Sequence, residues 1–517
     1  MNYGRARLIL AHDLGTTGNK ATLYDPDGVL LGSAFSGYDT IYPHEAWAEQ
    51  DPGEWWTAVK HSTRELLAKG KVAPSDIAVI AFSGQMMGCV PVDRDGNPVR
   101  TAIIWADQRA TKQAARLASE IGEERVYRLT GHRASPSYSA AKMMWFKDHQ
   151  PELFARTATF LQAKDFIVRL MTGRTVTDYS DASSTNLFDL TRHEWSPELV
   201  EASGIPSELL PEPVRSATVV GDLLPGPAAE LGLRAGTPVV IGGGDGACAA
   251  TGAGVVREGD CYNYLGSSSW IATAASEPWF DPEMRTFTWA HLDPDLYTPC
   301  GTMHTAGASY DWLRRVICPP EEAVAGQLAL SPYELMNMAA ERVPVGSEGL
   351  LFLPYLLGER SPHWNPTARG VFVGLSVRHE RRHLIRAVAE GVSLNLLTIL
   401  EALAQQVEIR AVRVIGGGAR GKLWCQLLAD VYGRPVHRLR WLEEATSLGA
   451  AVAGGVGVGL FPDFGVARDL AQVADVIEPD AERTARYRQV YRVFRQAYEA
   501  LVPVFRDLAT MAEQGSG

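Results

Sequence analysis

An aspartate closes an apolar strand pattern and opens a turn rich in glycine and threonine, Asp13-Leu14-Gly15-Thr16-Thr17-Gly18. Comparable glycine turns recur as Gly242-Gly243-Gly244-Asp245-Gly246, Leu265-Gly266-Ser267-Ser268-Ser269 and Gly416-Gly417-Gly418-Ala419. Glycine tolerates positive φ and lets backbone N–H groups approach an anion with no Cβ between them. Successive N–H groups in such turns form anion-binding concavities. Thr16, Thr17, Ser267 and Ser268 add hydroxyl donors, and Lys20 can bring an ammonium to the same anion. Any one of these motifs alone is ordinarily a tight turn. Four of them, two flanked by hydroxyl pairs, point to a nucleotide.

The elements around the turns alternate. Residues 8–12, 20–24 and 29–35 read as strands joined by short turns. Asp51 is the expected N-cap and Pro52 the first residue of a helix reaching Leu67. Residues 77–82 form an apolar strand. The plan restarts with strands over 260–265 and 270–274, a strand at 412–415 and a helix from Lys422. This predicts an α/β chain with a mixed, hairpin-led sheet in each half. A length of 517 residues also calls for more than one core. The boundary is expected near 254–259, giving domains 1–256 and 257–517, with a final helix over 481–508 packed on the second.

A net charge of −11 argues against a protein that coats nucleic acid. The six cysteines are widely spaced without a CxxC pair, which suits reduced thiols rather than zinc or disulfides. The apolar run 8–11 is too short for a secretory signal and 450–461 too short to cross a bilayer, so a cytoplasmic location is expected. Three motifs fail on chemistry. Gly416-x-x-x-x-Gly421-Lys422 has Leu423 where a phosphate loop needs a magnesium-binding hydroxyl. Gly242-x-Gly244-x-x-Ala247 would set Asp245 against a pyrophosphate, so a dinucleotide oxidoreductase is disfavoured. His379-Glu380-Arg381-Arg382-His383 surrounds a would-be zinc site with arginines and reads as a surface-facing helix start.

With these residues in view, the chain resembles the FGGY carbohydrate kinases, most closely their xylulokinase-like branch. The resemblance rests on the 137–149 segment, on 370–375 running through His383 to Glu390, and on Trp47-Ala48-Glu49-Gln50-Asp51-Pro52. Gly358-Glu359-Arg360-Ser361-Pro362 and Gly416-Gly417-Gly418-Ala419-Arg420 complete it. It implies an actin-like ATPase architecture of two ribonuclease-H-like domains flanking a cleft, with ATP and Mg2+ as cofactors and a small sugar or polyol as partner. It also implies roles. Thr16, Thr17, Lys20, Gly266, Ser267 and Ser268 would meet the phosphates, and Gly307, Gly417 and Gly418 the adenosine. Asp13 would stand near the metal. Asp245 would be the catalytic base. No nucleic acid or membrane is implied, and a homodimer is left open.

The chemistry of the residues fits that expectation. A carboxylate in a glycine turn can reach an alcohol within hydrogen-bond distance, as a general base must. The resemblance also implies an acceptor wall of Gln85, Met86, Met87, Trp105, Asp107 and Gly246 together with Asp245. Xylulokinases usually carry Met-His where this chain has Met86-Met87, and a thioether cannot donate a hydrogen bond. The Trp105-Ala106-Asp107 wording also resembles gluconokinase-type members. The expected acceptor is therefore a ketopentose such as xylulose, with gluconate or a polyol as the alternative within the family. An actin-like ATPase binding protein is the alternative from another class.

Overall fold

The computed structural model describes residues 7–514, so the outermost residues of the two expected domains lie outside the described residues. The first hairpin forms as expected, with strands Leu8–Leu14, Gly18–Tyr24 and Leu30–Gly37 pairing antiparallel in succession. Ile77–Gly84 then pairs parallel to Leu8–Leu14, and Pro238–Gly244 parallel to Ile77–Gly84. Val219–Asp222 closes the far edge antiparallel. The order across this six-stranded sheet places the third, second and first strands of the chain before Ile77–Gly84 and Pro238–Gly244.

The same order recurs in the second half. Tyr297–Met303, Ser269–Thr273, Cys261–Leu265, Val412–Ile415 and Val436–Leu439 lie side by side, with Phe287–Ala290 and Val473–Ile477 at the edges. The first two pairings are antiparallel and the next two parallel. Helix Pro52–Gly70 begins at Asp51, whose side chain accepts the Gly53 N–H, one turn longer than the apolar pattern indicated. The helix expected over 481–508 extends over Ala481–Gln514, and Tyr487, Tyr491, Phe494 and Phe505 join the second core.

Helix Arg381–Leu403 is long and apolar enough to cross a membrane, yet 89% of its apolar window is buried inside the protein. Only its first residues meet the expectation of a surface-facing start: Arg381 and Arg382 are exposed, whereas His383 is buried and accepts the Glu380 N–H at Nδ1. Helix Ala445–Gly457 lies in the chain between strands Val436–Leu439 and Val473–Ile477 of the second sheet but packs its small residues on the first. Leu448 and the 450–453 run share a core with Ile9, Ala11, Val79, Ala81 and Val240. It also crosses helix Asp245–Gly252 so tightly that a Cβ on Gly449 would come within 2.0 Å of the Cys248 carbonyl oxygen.

Candidate active site

A cavity of about 380 Å³ is lined from both sheets. Asp13, Gly15 and Lys20 come from the first hairpin, Asp245 and Ala249 from the helix after Pro238–Gly244. Tyr264, Trp270, Gly416 and Gly417 come from the second sheet, and Glu443 and Thr446 from the entry to Ala445–Gly457. Parallel pairing explains the convergence. Asp13 stands level with Ser83, and Gly84 level with Gly244, so the turns after three parallel strands open at one edge.

Asp245 is the first residue of its helix, with Gly244 as extended N-cap. Burial pushes its carboxyl up to about 7, and the nearby Asp13 charge pushes the same way against the Gly246 N–H. Burial also raises Asp13, opposed by Lys20 and by the hydroxyls of Ser83 and Thr446. Asp13 Oδ1 is buried with no hydrogen-bond partner. Lys20 spans the cleft to donate to the Glu443 carbonyl at 2.9 Å.

The remaining glycine turns pack on neighbouring backbone. The Ala306 and Ala308 N–H groups donate to the Ser267 carbonyl, and Gly307 N–H to Gly266. Gly307 must be glycine-sized, because a Cβ would fall 2.5 Å from the Gly266 oxygen. Gly418 lies against Leu265, whereas Gly417 has no atom within 4 Å of where a Cβ would sit. The Thr16 hydroxyl accepts from Trp105 Nε1 at 2.9 Å and its carbonyl from Gln50 Nε2 at 2.7 Å. Thr17 is exposed and borders a separate cavity with Asp39, Asp51 and Glu54.

Met86 is buried against Gly244, where a Cβ would meet its Cγ at 2.5 Å, and its sulfur is the nearest atom to Gly246. Met87 adopts φ 63°, and Lys142 Nζ donates to its carbonyl at 2.8 Å while Ser184 Oγ accepts its N–H. Gln85 is buried and donates to Gln50 Oε1 at 2.7 Å; its own Oε1 has no partner. Asp107 is fully buried, and its oxygens accept from Arg109 and from the Ala48 N–H. A carboxylate two residues before an arginine is more cheaply neutralised by that neighbour than left bare in a protein interior.

Among the cavity residues that the sequence reading did not single out are Tyr264, Trp270, Glu443 and Thr446. Tyr264 and Trp270 stack at 4.0 Å between ring centres, directly opposite each other in the hairpin around Gly266. Two aromatics at matching distances from a glycine turn were the available signal.

Two sheets that share one order over five strands, meeting at a cleft that gathers carboxylates, an ammonium and glycine turns, define an actin-like ATPase fold. The model of the FGGY family of carbohydrate kinases, N-terminal domain, matches residues 8–252, and that of its C-terminal domain residues 261–458. The chain belongs to the FGGY family of carbohydrate kinases and is a phosphotransferase acting on an alcohol of a sugar. Xylulose kinase of Bacillus subtilis is 33% identical over 95% of this chain and 97% of its own length. Gluconokinase of the same organism is 30% identical over 98% and 96%. A solved xylulose kinase from Lactobacillus acidophilus, 27% identical, superimposes with TM-score 0.90 over 97% of this chain and 99% of that one.

Proposed function

We propose that this kinase transfers the terminal phosphoryl group of ATP to a hydroxyl of a ketopentose such as xylulose, with Asp245 as general base. The observation that carries the reading is the shared cavity, in which Asp245 stands beside Asp13 and Lys20 with the open Gly417 turn opposite. A carboxyl lifted to about 7 is matched to taking an alcohol proton near neutrality. Lys20 and the turns at Thr16, Thr17, Gly266, Ser267 and Ser268 are assigned to the phosphates, and Gly307, Gly417 and Gly418 to the adenosine. Gly246, Gln85, Met86, Met87 and Trp105 are assigned to the acceptor wall. The unpartnered Asp13 Oδ1 suits Mg2+ through its waters, because that ion takes few protein carboxylates and completes its shell from phosphates. Bound Mg–ATP supplies the leaving group and neutralises its charge. Lys20 exchanges its Glu443 carbonyl for phosphate oxygen, and closure of the cleft excludes water as a competing acceptor. Residues 1–256 and 257–517 are proposed as the two domains in chain order, with Ala445–Gly457 returning to the first.

An ADP-release assay over xylulose, ribulose, gluconate, polyols and glycerol, with mass spectrometry of the product, tests this. The highest kcat/KM is expected for a ketopentose. ATP binding with no acceptor above the water background refutes the proposal. The second reading, gluconate, is favoured by Met87 in place of histidine and by the gluconokinase relative. A higher kcat/KM for gluconate than for xylulose decides for it.

A further inference from the structure

The turn that carries Asp245 is held from below by groups the chemistry above does not use. Gly242 has φ 66°, and a Cβ there would collide with the Phe82 carbonyl at 1.7 Å. A Cβ on Gly243 would come within 2.2 Å of Leu292 and 2.9 Å of Ser180 Oγ. The turn therefore has no slack toward the sheet and takes its position from what it touches.

Its polar contacts converge on one carboxylate. The Gly244 N–H, directly before Asp245, donates to Ser180 Oγ at 2.8 Å. Ser180 Oγ in turn donates to Asp178 Oδ2 at 2.6 Å. The same oxygen accepts from Ser216 Oγ at 2.8 Å, and the Ser216 carbonyl accepts the Gly242 N–H at 3.0 Å. Asp178 Oδ1 pairs with Lys164 Nζ at 2.8 Å, and Lys164 also meets Asp165 at 2.7 Å and Asp181 at 3.0 Å. All four charged side chains are fully buried. Such a cluster seldom adds stability over an apolar core of equal volume, and fixing one geometry is its better-attested use.

We infer that Ser180, oriented by the buried Asp178–Lys164 pair, is a positioning residue that sets the Asp245 carboxylate against the acceptor hydroxyl. It works in series: one hydroxyl accepts from the turn that bears the base and donates to a carboxylate that cannot move. The expected magnitude follows from proximity, since a misplacement of about 1 Å at a reacting group costs on the order of 100-fold in rate. The inference rests on the reading of Asp245 as the base.

Ser180→Ala, Ser183→Ala and Asp245→Asn in the full-length chain test it. Ser183 lies on the same short helix with an equally buried hydroxyl that has no bond to the turn. Ser180→Ala is expected to lower sugar-dependent kcat by about 10-fold or more while KM for ATP stays within about 2-fold. Ser183→Ala should keep near-wild-type kcat. Should Ser180→Ala not fold, Ser180→Cys, with its weak donor, is expected to show the same split. Full kcat in a folded Ser180 variant, or equal losses at Ser180 and Ser183 accompanied by loss of ATP affinity, overturns the inference. Asp245→Asn separates the layers. An active Asp245→Asn removes the base and the inference together, whereas an inactive one beside a full-speed Ser180→Ala removes only the inference.

Discussion

The Asp13 and Asp245 carboxyls line one cavity from either side of strand Ile77–Gly84, and the charge of Asp13, after burial, lifts Asp245 to about 7. A base must lose its proton to act. The kcat/KM for the acceptor is therefore expected to fall as pH drops through about 7. Replacing Asp13 by Asn removes a like charge, so the acid limb should move to lower pH. Rate profiles over pH 5–9 at saturating ATP check this. A limb that stays or moves upward contradicts it.

Asp245→Asn is expected to cut kcat by about 10²–10⁴-fold with the fold intact. Its effect on stability has a definite sign. The native carboxyl is raised from 3.8 to about 7, so the native state binds this proton more tightly than the unfolded chain. Stability contributed by the protonated group is present at low pH and is lost as pH rises through that window. Thermal melts should then show the variant matching the wild type near pH 4 and exceeding it at pH 8.

Lys142 fixes the Met87 carbonyl while Met87 sits in left-handed backbone, a region costly for a side chain of that bulk. Lys142→Met releases this restraint on the proposed acceptor wall and leaves the glycine turns proposed for the phosphates untouched. KM for the sugar should rise about 10-fold, with KM for ATP unchanged. Steady-state kinetics with each substrate varied in turn separates the two.

Gly449→Ala drives a methyl into the Cys248 carbonyl, backbone that cannot step aside. The expected cost is about 1–3 kcal/mol or more of stability. Denaturant titration measures it, and a loss below about 0.5 kcal/mol would show that the helices can separate without penalty.

Local chemistry made much of the molecule readable. Asp51-Pro52 announced a helix start that the structure reproduces, and strand 412–415 ends where its three glycines begin. The glycine turns could be found because the physical need for them is local. The burial of Asp107 was not legible: Arg109 stands two residues on as its charge partner, but the hydrogen bond from the Ala48 N–H depends on a fold that brings residue 48 beside it. The Lys164–Asp178 pair was equally hidden: its members lie on different elements, and nothing in either segment marks them as partners. Tyr264 and Trp270 read as ordinary strand residues until pairing set their rings face to face.

Helix Ala445–Gly457 carries a consequence for how the chain is made. The strands bearing Ile9, Val79 and Val240 leave the ribosome early, yet the residues that cover that face, Leu448 through Ala453, emerge near the end of synthesis. The nascent amino-terminal lobe thus waits with an unfinished greasy side through translation of nearly the whole second lobe. A chain stopped before Ala445 lacks the residues that cover this face.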